Sequence, residues 1–144
     1  MVDTSAWGVV HRAQAQRPPD PLAADFQAAL ERGQLRGSTV VKLELLHNAR
    51  NPQEFQAAEQ ELDRLQTLPV TVDASRAAVG ALRDLSSKAP ASNPAYHRVK
   101  NIDALIAGTA WSRGFGVLHY DGHYERLASV LGFDEFWIAA PGAY

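Results

Sequence analysis

Apolar positions along this chain follow two different periods. Short apolar runs bounded by turn residues read as strands, and stretches with apolar residues three and four apart read as helices; their alternation predicts an α/β fold. Met1-Val2 is a very short first strand that ends at Asp3. One or two helices follow as far as Gly33, with Asp20-Pro21 supplying an N-cap and a helix-starting proline and Leu22, Phe26, Ala29 and Leu30 falling on one face. Gly37-Ser38-Thr39-Val40-Val41 reads as a buried strand turning into a helix, in which Leu43, Leu46 and Ala49 repeat at helical spacing. Asn51-Pro52-Gln53-Glu54 is a capping box ahead of an apolar stripe of Phe55, Ala58, Leu62 and Leu65. Val70-Thr71-Val72 predicts a strand, and Asp73 caps a helix that turns Ala78, Leu82 and Leu85 inward.

From Lys88 to Lys100 the pattern gives way to Pro90, Ser92, Asn93 and Pro94 and a basic cluster of His97, Arg98 and Lys100, which reads as a loop within a domain. Asn101 opens a helix with Ile102, Leu105, Ile106 and Thr109 or Ala110 inward, ended by Gly114. Val117 to Tyr120 is a strand delivering Asp121, Tyr124 to Leu131 a helix, and Phe136 to Ala139 a last strand. No internal repeat interrupts this order, and 144 residues are the length of one domain, expected to span 1–144.

Composition narrows the chemistry. The chain is 46% hydrophobic and has no cysteine, which excludes a disulfide scaffold, a thiolate zinc site and a cysteine nucleophile. Met1-Val2-Asp3 carries no basic leader, and no apolar run approaches the ~18 residues of a membrane span, so a soluble cytoplasmic protein is expected.

Four acids stand out by position. Asp3 and Asp121 each follow an apolar strand, while Glu44 and Asp103 lie near helix starts. In an open parallel sheet, strand ends and the helix starts that follow them share one edge, where ligands bind. Each acid has an ordinary structural reading as well, Asp3 as a helix cap, Asp103 as a first-turn acid, Glu44 as a solvated helix residue and Asp121 as a turn residue before Gly122. Together they repel one another and call for protonation or a cation. Carboxylate oxygens without thiolates select Mg²⁺ or Mn²⁺. With these four acids set aside, 12 remain against 14 Lys and Arg, so the rest of the surface is mildly basic and a nucleic-acid substrate stays open.

In this arrangement the chain resembles the PIN-domain family, and within it the VapC-type toxin ribonucleases of toxin–antitoxin pairs. The matching segments are Val2-Asp3-Thr4-Ser5-Ala6, Val40 to Leu46 with Ala49-Arg50-Asn51, Asp103-Ala104-Leu105-Ile106-Ala107, and Val117 to Asp121. The resemblance implies a three-layer α/β/α sandwich around a short parallel sheet. It also implies Mg²⁺- or Mn²⁺-dependent endonucleolytic cleavage of RNA, inhibition by a cognate VapB-type antitoxin, and a homodimer. Carried over by position, the metal-binding and catalytic acids fall on Asp3, Glu44, Asp103 and Asp121, and a site hydroxyl on Ser5. One departure is visible: many relatives continue the last motif as Asp-x-Asp-Phe, whereas this chain reads Asp121-Gly122-His123-Tyr124. An imidazole there favours Mn²⁺ over Mg²⁺ and marks His123 as an accessory residue.

No side chain is an obvious nucleophile, and water activated by metal is the better candidate. Arg12, Arg50, His97, Arg98 and Lys100 are candidate contacts to RNA phosphates. His11, His47 and His119 read as surface or packing residues, and Trp7, Trp111 and Trp137 as core or interface, Trp7 with an alternative base-stacking role. Two alternatives remain alongside the toxin: an RNA-processing nuclease, and a catalytically decayed module that acts by binding. A phosphatase with a strand-end aspartate nucleophile would need a second acid where Ser5 stands.

Overall fold

The extended segment at residues 1–3 is the seam of the molecule. In the computed structural model, which describes residues 1–18 and 20–144, Val2 bridges Leu118 in parallel. Its N–H donates to the carbonyl of Arg36 at 2.9 Å, and the Asp3 N–H donates to the carbonyl of Leu118 at 2.9 Å. On one side of this seam lie β1 (Arg36–Ser38) and β2 (Gln66–Leu68), paired in parallel with Ser38 opposite Leu68. On the other lie β3 (Val117–His119) and β4 (Glu135–Trp137), also parallel, with His119 opposite Trp137. The five short extended segments thus form one layer, ordered β2, β1, residues 1–3, β3, β4.

Alternation along an extended chain sends successive side chains to opposite faces, and two cores result. Met1 and Val117 face the first, with Val40 and Val41, Ala78, Ala81 and Leu85, Ala104, Ile106, Ala107 and Ala110, and Tyr124 and Leu127. Val2 faces the second, with Ala6, Trp7 and Val10, Phe26 and Leu30, and Leu62 and Leu65. The first core therefore belongs to α3 (Thr39–His47), α5 (Val72–Ser87), α6 (Asn101–Ser112) and α7 (His123–Leu131). The second belongs to α1 (Thr4–Ala15), α2 (Pro21–Glu31) and α4 (Pro52–Leu62). Helices cover both faces of a short parallel sheet, the expected α/β/α sandwich.

Several local expectations need correction. The strand expected at Val70-Thr71-Val72 lies earlier, at Gln66–Leu68, because Pro69 lacks the N–H that a ladder needs. The Thr71 hydroxyl accepts from the Ala74 N–H at 3.1 Å and caps α5, so Asp73 is a first-turn acid and not the cap. Similarly, Ser38 caps α3 by accepting from the Val41 N–H, so the helix begins at Thr39 and the strand is shorter than expected. In the stripe of Leu43, Leu46 and Ala49, Leu43 is 66% exposed, while Leu46 packs partly buried against the second core and Val40 and Val41 enter the first. Phe55 is likewise exposed, since α4 is peripheral and buries only Leu62 within its length. In the capping box, Asn51 accepts from the Glu54 N–H at 2.9 Å, but Glu54 returns its bond to the Arg50 N–H. The last strand is Glu135–Trp137, and Phe136 points outward on the sheet edge.

α5 and α6 approach closely because their facing positions are small. A Cβ on Gly108 would stand 2.3 Å from the carbonyl oxygen of Ala74, so only glycine permits this crossing. The crossing fixes α6, whose third residue is Asp103, against α5.

Candidate functional site

Asp3 is both a helix cap and a site residue. Its Oδ2 accepts from the Ser5 N–H at 2.9 Å and from the Ser5 hydroxyl, and its Oδ1 accepts from the Tyr124 hydroxyl at 2.7 Å. It is only 3% exposed. Ser5 Oγ in turn accepts from the Tyr120 N–H at 2.8 Å, which ties the start of α1 to the strand end that delivers Asp121.

Asp103 is the third residue of α6, 5% exposed, and its Oδ2 stands 2.8 Å from Nδ1 of His123. Asp121 lies between β3 and α7; its Oδ1 accepts from the His123 N–H at 3.0 Å and its Oδ2 from Lys100 Nζ at 2.9 Å. One donor atom from each of Asp103, Asp121 and His123 falls within 4.8 Å of the others. Among the described residues this is the group with the spacing of metal ligands. Neither Asp3 nor Glu44 is in that group: Asp3 is held by Ser5 and Tyr124, and Glu44 Oε2 accepts from the Thr4 hydroxyl at 2.5 Å, one residue beyond Asp3.

The electrostatics fit a site that wants a cation. Burial foremost, together with the charges of Asp3 and Asp121, raises the Asp103 carboxyl to about 6, against the opposing His123 hydrogen bond and Lys100 charge. For Asp121, burial is outweighed by the His123 N–H and the Lys100 ammonium, and its carboxyl is held below the usual value. The same hydrogen bond to Asp121 raises Lys100. Burial and the Asp3 charge push the Tyr124 hydroxyl well above its ordinary value, so it stays a donor.

The candidate RNA contacts are scattered. Lys100 is on the cluster itself, His97 and Arg98 are in the loop leading to it, and Arg12 is exposed on α1. Arg50 is committed to Glu54 through Nη2–Oε1 at 2.6 Å and Nε–Oε2 at 3.1 Å. Trp7 is buried edge-on against Phe26, which removes it as a base-stacking surface. Sequence reasoning missed Thr4, Tyr124 and His119 as partners of the acids. Their only signal is adjacency, one, three and two residues from Asp3, Asp121 and Asp121 respectively.

A parallel α/β sandwich with buried carboxylates and an imidazole gathered at the carboxyl ends of its strands defines a class of protein with an acidic ligand-binding edge. The family described as PIN domain matches residues 1–130, and the chain belongs to that family. It is 35% identical over 142 residues to Ribonuclease VapC18 of Mycobacterium tuberculosis (strain ATCC 25618 / H37Rv), covering 98% of this chain and 96% of that protein. It is 29% identical over 142 residues to Ribonuclease VapC51 of the same strain, covering 99% and 94%. The fold matches DNA-bound VapBC from Salmonella typhimurium with a TM-score of 0.73 at 21% identity, over 96% of this chain and 97% of that one. It also matches VapBC2 from Rickettsia felis bound to a promoter DNA fragment, with a TM-score of 0.67 at 15% identity over 95% and 98%.

Proposed function

We propose that this protein is a metal-dependent endoribonuclease, the toxin of a toxin–antitoxin pair, that hydrolyses RNA phosphodiesters with water as nucleophile. The observation that carries this reading is the convergence of Asp103, Asp121 and His123 within 4.8 Å, beside the buried Asp3. Membership in the PIN-domain family and full-length similarity to proteins named ribonucleases support it.

The donor set fits one divalent cation. Three donor atoms within 4.8 Å of one another are close enough to share one such ion. Asp103, Asp121 and His123 would hold it, with Asp3 and Glu44 as the remaining acids of the site; carboxylates suit Mg²⁺ and the imidazole adds affinity for Mn²⁺. Such an ion would lower the pKa of a water molecule and neutralise charge on the phosphoryl oxygens. The chain's own residues do the rest. Ser5 and Tyr124 orient Asp3, and the first N–H of α7 orients Asp121. Lys100, mostly exposed beside the cluster, is the cation best placed to receive an RNA phosphate, with His97 and Arg98 upstream of it. Arg12 and Arg50 are more distant candidates.

The antitoxin partner is proposed to lay an apolar helix in the groove of about 590 Å³ between α1 and the α3–α4 pair, lined by Trp7, His11, Leu45, Ala49, Ala58 and Leu62. From there an arginine would reach toward the acids near Glu44 and compete with metal. VapBC complexes among the structural neighbours support a partner of this kind. Among the described residues no helix is long and apolar enough to cross a membrane, and a homodimer of single 1–144 domains acting in the cytoplasm completes the reading.

The decisive experiment incubates purified protein with RNA in Mg²⁺ or Mn²⁺ and sequences the new ends. Discrete cleavage that stops with chelator and is absent in Asp103→Asn and Asp121→Asn is expected. Cleavage by Asp103→Asn at the wild-type rate overturns the site.

A further inference from the structure

His119 ends β3 and is fully buried. Its two ring nitrogens have different work. The Asp121 backbone N–H donates to Nδ1 at 3.2 Å. An amide N–H only donates, so Nδ1 is the unprotonated nitrogen, and the proton sits on Nε2, where Glu135 Oε2 receives it at 2.6 Å. The two contacts enforce each other: a carboxylate on Nε2 selects the tautomer whose Nδ1 accepts. The ring packs between two aromatic neighbours, its centroid 4.9 Å from that of Tyr124 and 5.0 Å from that of Trp137.

Packing alone does not call for an imidazole here. A leucine or phenylalanine would fill an enclosed position between two aromatic rings without needing two polar partners. What the imidazole adds is a fixed acceptor for the backbone N–H of Asp121 itself. Asp121 is then held at two points, its amide by His119 and its Oδ1 by the His123 N–H. Glu135 is on β4, so the sheet edge sets the loop that carries the acid.

We propose that His119, oriented by Glu135, is a positioning residue that fixes the Asp121 loop so that its carboxylate faces Asp103 and His123 at ligand spacing. This rests on Asp121 being a metal ligand. It assigns no chemistry to His119 itself; the residue acts through Asp121. Outer partners of ligands commonly alter metal affinity by roughly 10–100-fold when removed.

The test separates the two nitrogens. His119→Asn keeps an acceptor where Nδ1 stands and gives up Glu135, whereas His119→Gln keeps an amide donor near Nε2 and gives up Asp121. Mn²⁺ affinity is measured by titration calorimetry, and amide hydrogen exchange at Asp121 by NMR without metal. The expected result is Mn²⁺ binding weakened roughly tenfold or more and faster Asp121 exchange in His119→Gln, with both near wild type in His119→Asn. Equal Mn²⁺ affinity and equal exchange in the two variants overturn the proposal. Should His119→Gln fail to fold, Glu135→Leu on the half-exposed strand edge removes only the orienting carboxylate. Weaker Mn²⁺ binding and faster Asp121 exchange support the proposal there, and no change in either refutes it. Asp121→Asn is measured in parallel: if it binds Mn²⁺ as wild type does, the metal-site reading fails, while the exchange comparison still decides whether His119 holds the loop.

Discussion

The Tyr124 hydroxyl donates to Oδ1 of Asp3 at 2.7 Å, joining residues 121 positions apart in a buried pair. A carboxyl group enclosed to this degree needs hydrogen-bond partners on both oxygens, and Ser5 and Tyr124 divide that task.

Removing the tyrosine hydroxyl leaves one Asp3 oxygen without its donor. Tyr124→Phe is expected to cost about 1–3 kcal/mol of stability in chelator, and less in saturating Mn²⁺, where a cation offsets the charge. Urea denaturation under both conditions checks this; equal losses in both would separate Asp3 from the metal.

Asp103 makes stability depend on pH. Its folded value of about 6 lies above the ordinary carboxylate value of 3.8, so between about pH 4 and 6 the folded protein holds more protons than the unfolded chain. Its contribution therefore falls as pH rises through that window and stays unfavourable above it. Because the group is partly screened, roughly 1–2 kcal/mol is the expected size. Without metal, Asp103→Asn should be more stable than wild type at pH 7.5 and lose that advantage by pH 4. Mn²⁺ binding to wild type should weaken as pH falls below 6, since the ion must displace the proton. A pH-independent stability difference between the two proteins would contradict the assignment.

His123 faces the cluster, with its Nδ1 2.8 Å from Asp103 Oδ2. His123→Asp adds a hard oxygen ligand and removes the imidazole, so the ratio of Mn²⁺ to Mg²⁺ cleavage rates should fall, and in His123→Ala the Mn²⁺ rate should fall more than the Mg²⁺ rate. Unchanged ratios in both would return His123 to a purely structural role.

Two glycines test the packing that seats Asp103. Gly108→Ala forces a Cβ onto the Ala74 carbonyl at 2.3 Å and should destabilise by about 2–4 kcal/mol. Gly80, inside α5 with open space at its Cβ position, should accept alanine with a gain of about 0.5–1 kcal/mol. Chemical denaturation of the two variants measures both, and similar midpoints would mean that the α5–α6 crossing is looser than these distances.

Much of the fold is legible in the sequence because local signals coincide. Asp20-Pro21 and Asn51-Pro52 start α2 and α4 as read, since a side-chain cap and a fixed proline φ act within one turn. Signals that compete locally point the wrong way. Val70-Thr71-Val72 has strand propensity, yet Pro69 ends the ladder and the Thr71 hydroxyl starts a helix. Leu43 has helical spacing, yet it is exposed, and α3 meets the two cores through Val40, Val41, Leu45 and Leu46. Apolar spacing identifies a face; only the position of the neighbouring layer decides whether that face is covered.

The sequence by itself determined the order of elements, the α/β class, the carboxylates at strand ends and helix starts, and the family those segments resemble, because each depends on residues a few positions apart. Only the tertiary structure decided which side chains share the site. It joined Asp3 to Tyr124 and His119 to Glu135, set Lys100 on Asp121, and left Asp3 and Glu44 beside the tight group of Asp103, Asp121 and His123. Those pairings depend on how parallel strands align and how closely α6 approaches α5, through distances of a few ångströms between residues far apart in the chain, which no local pattern encodes.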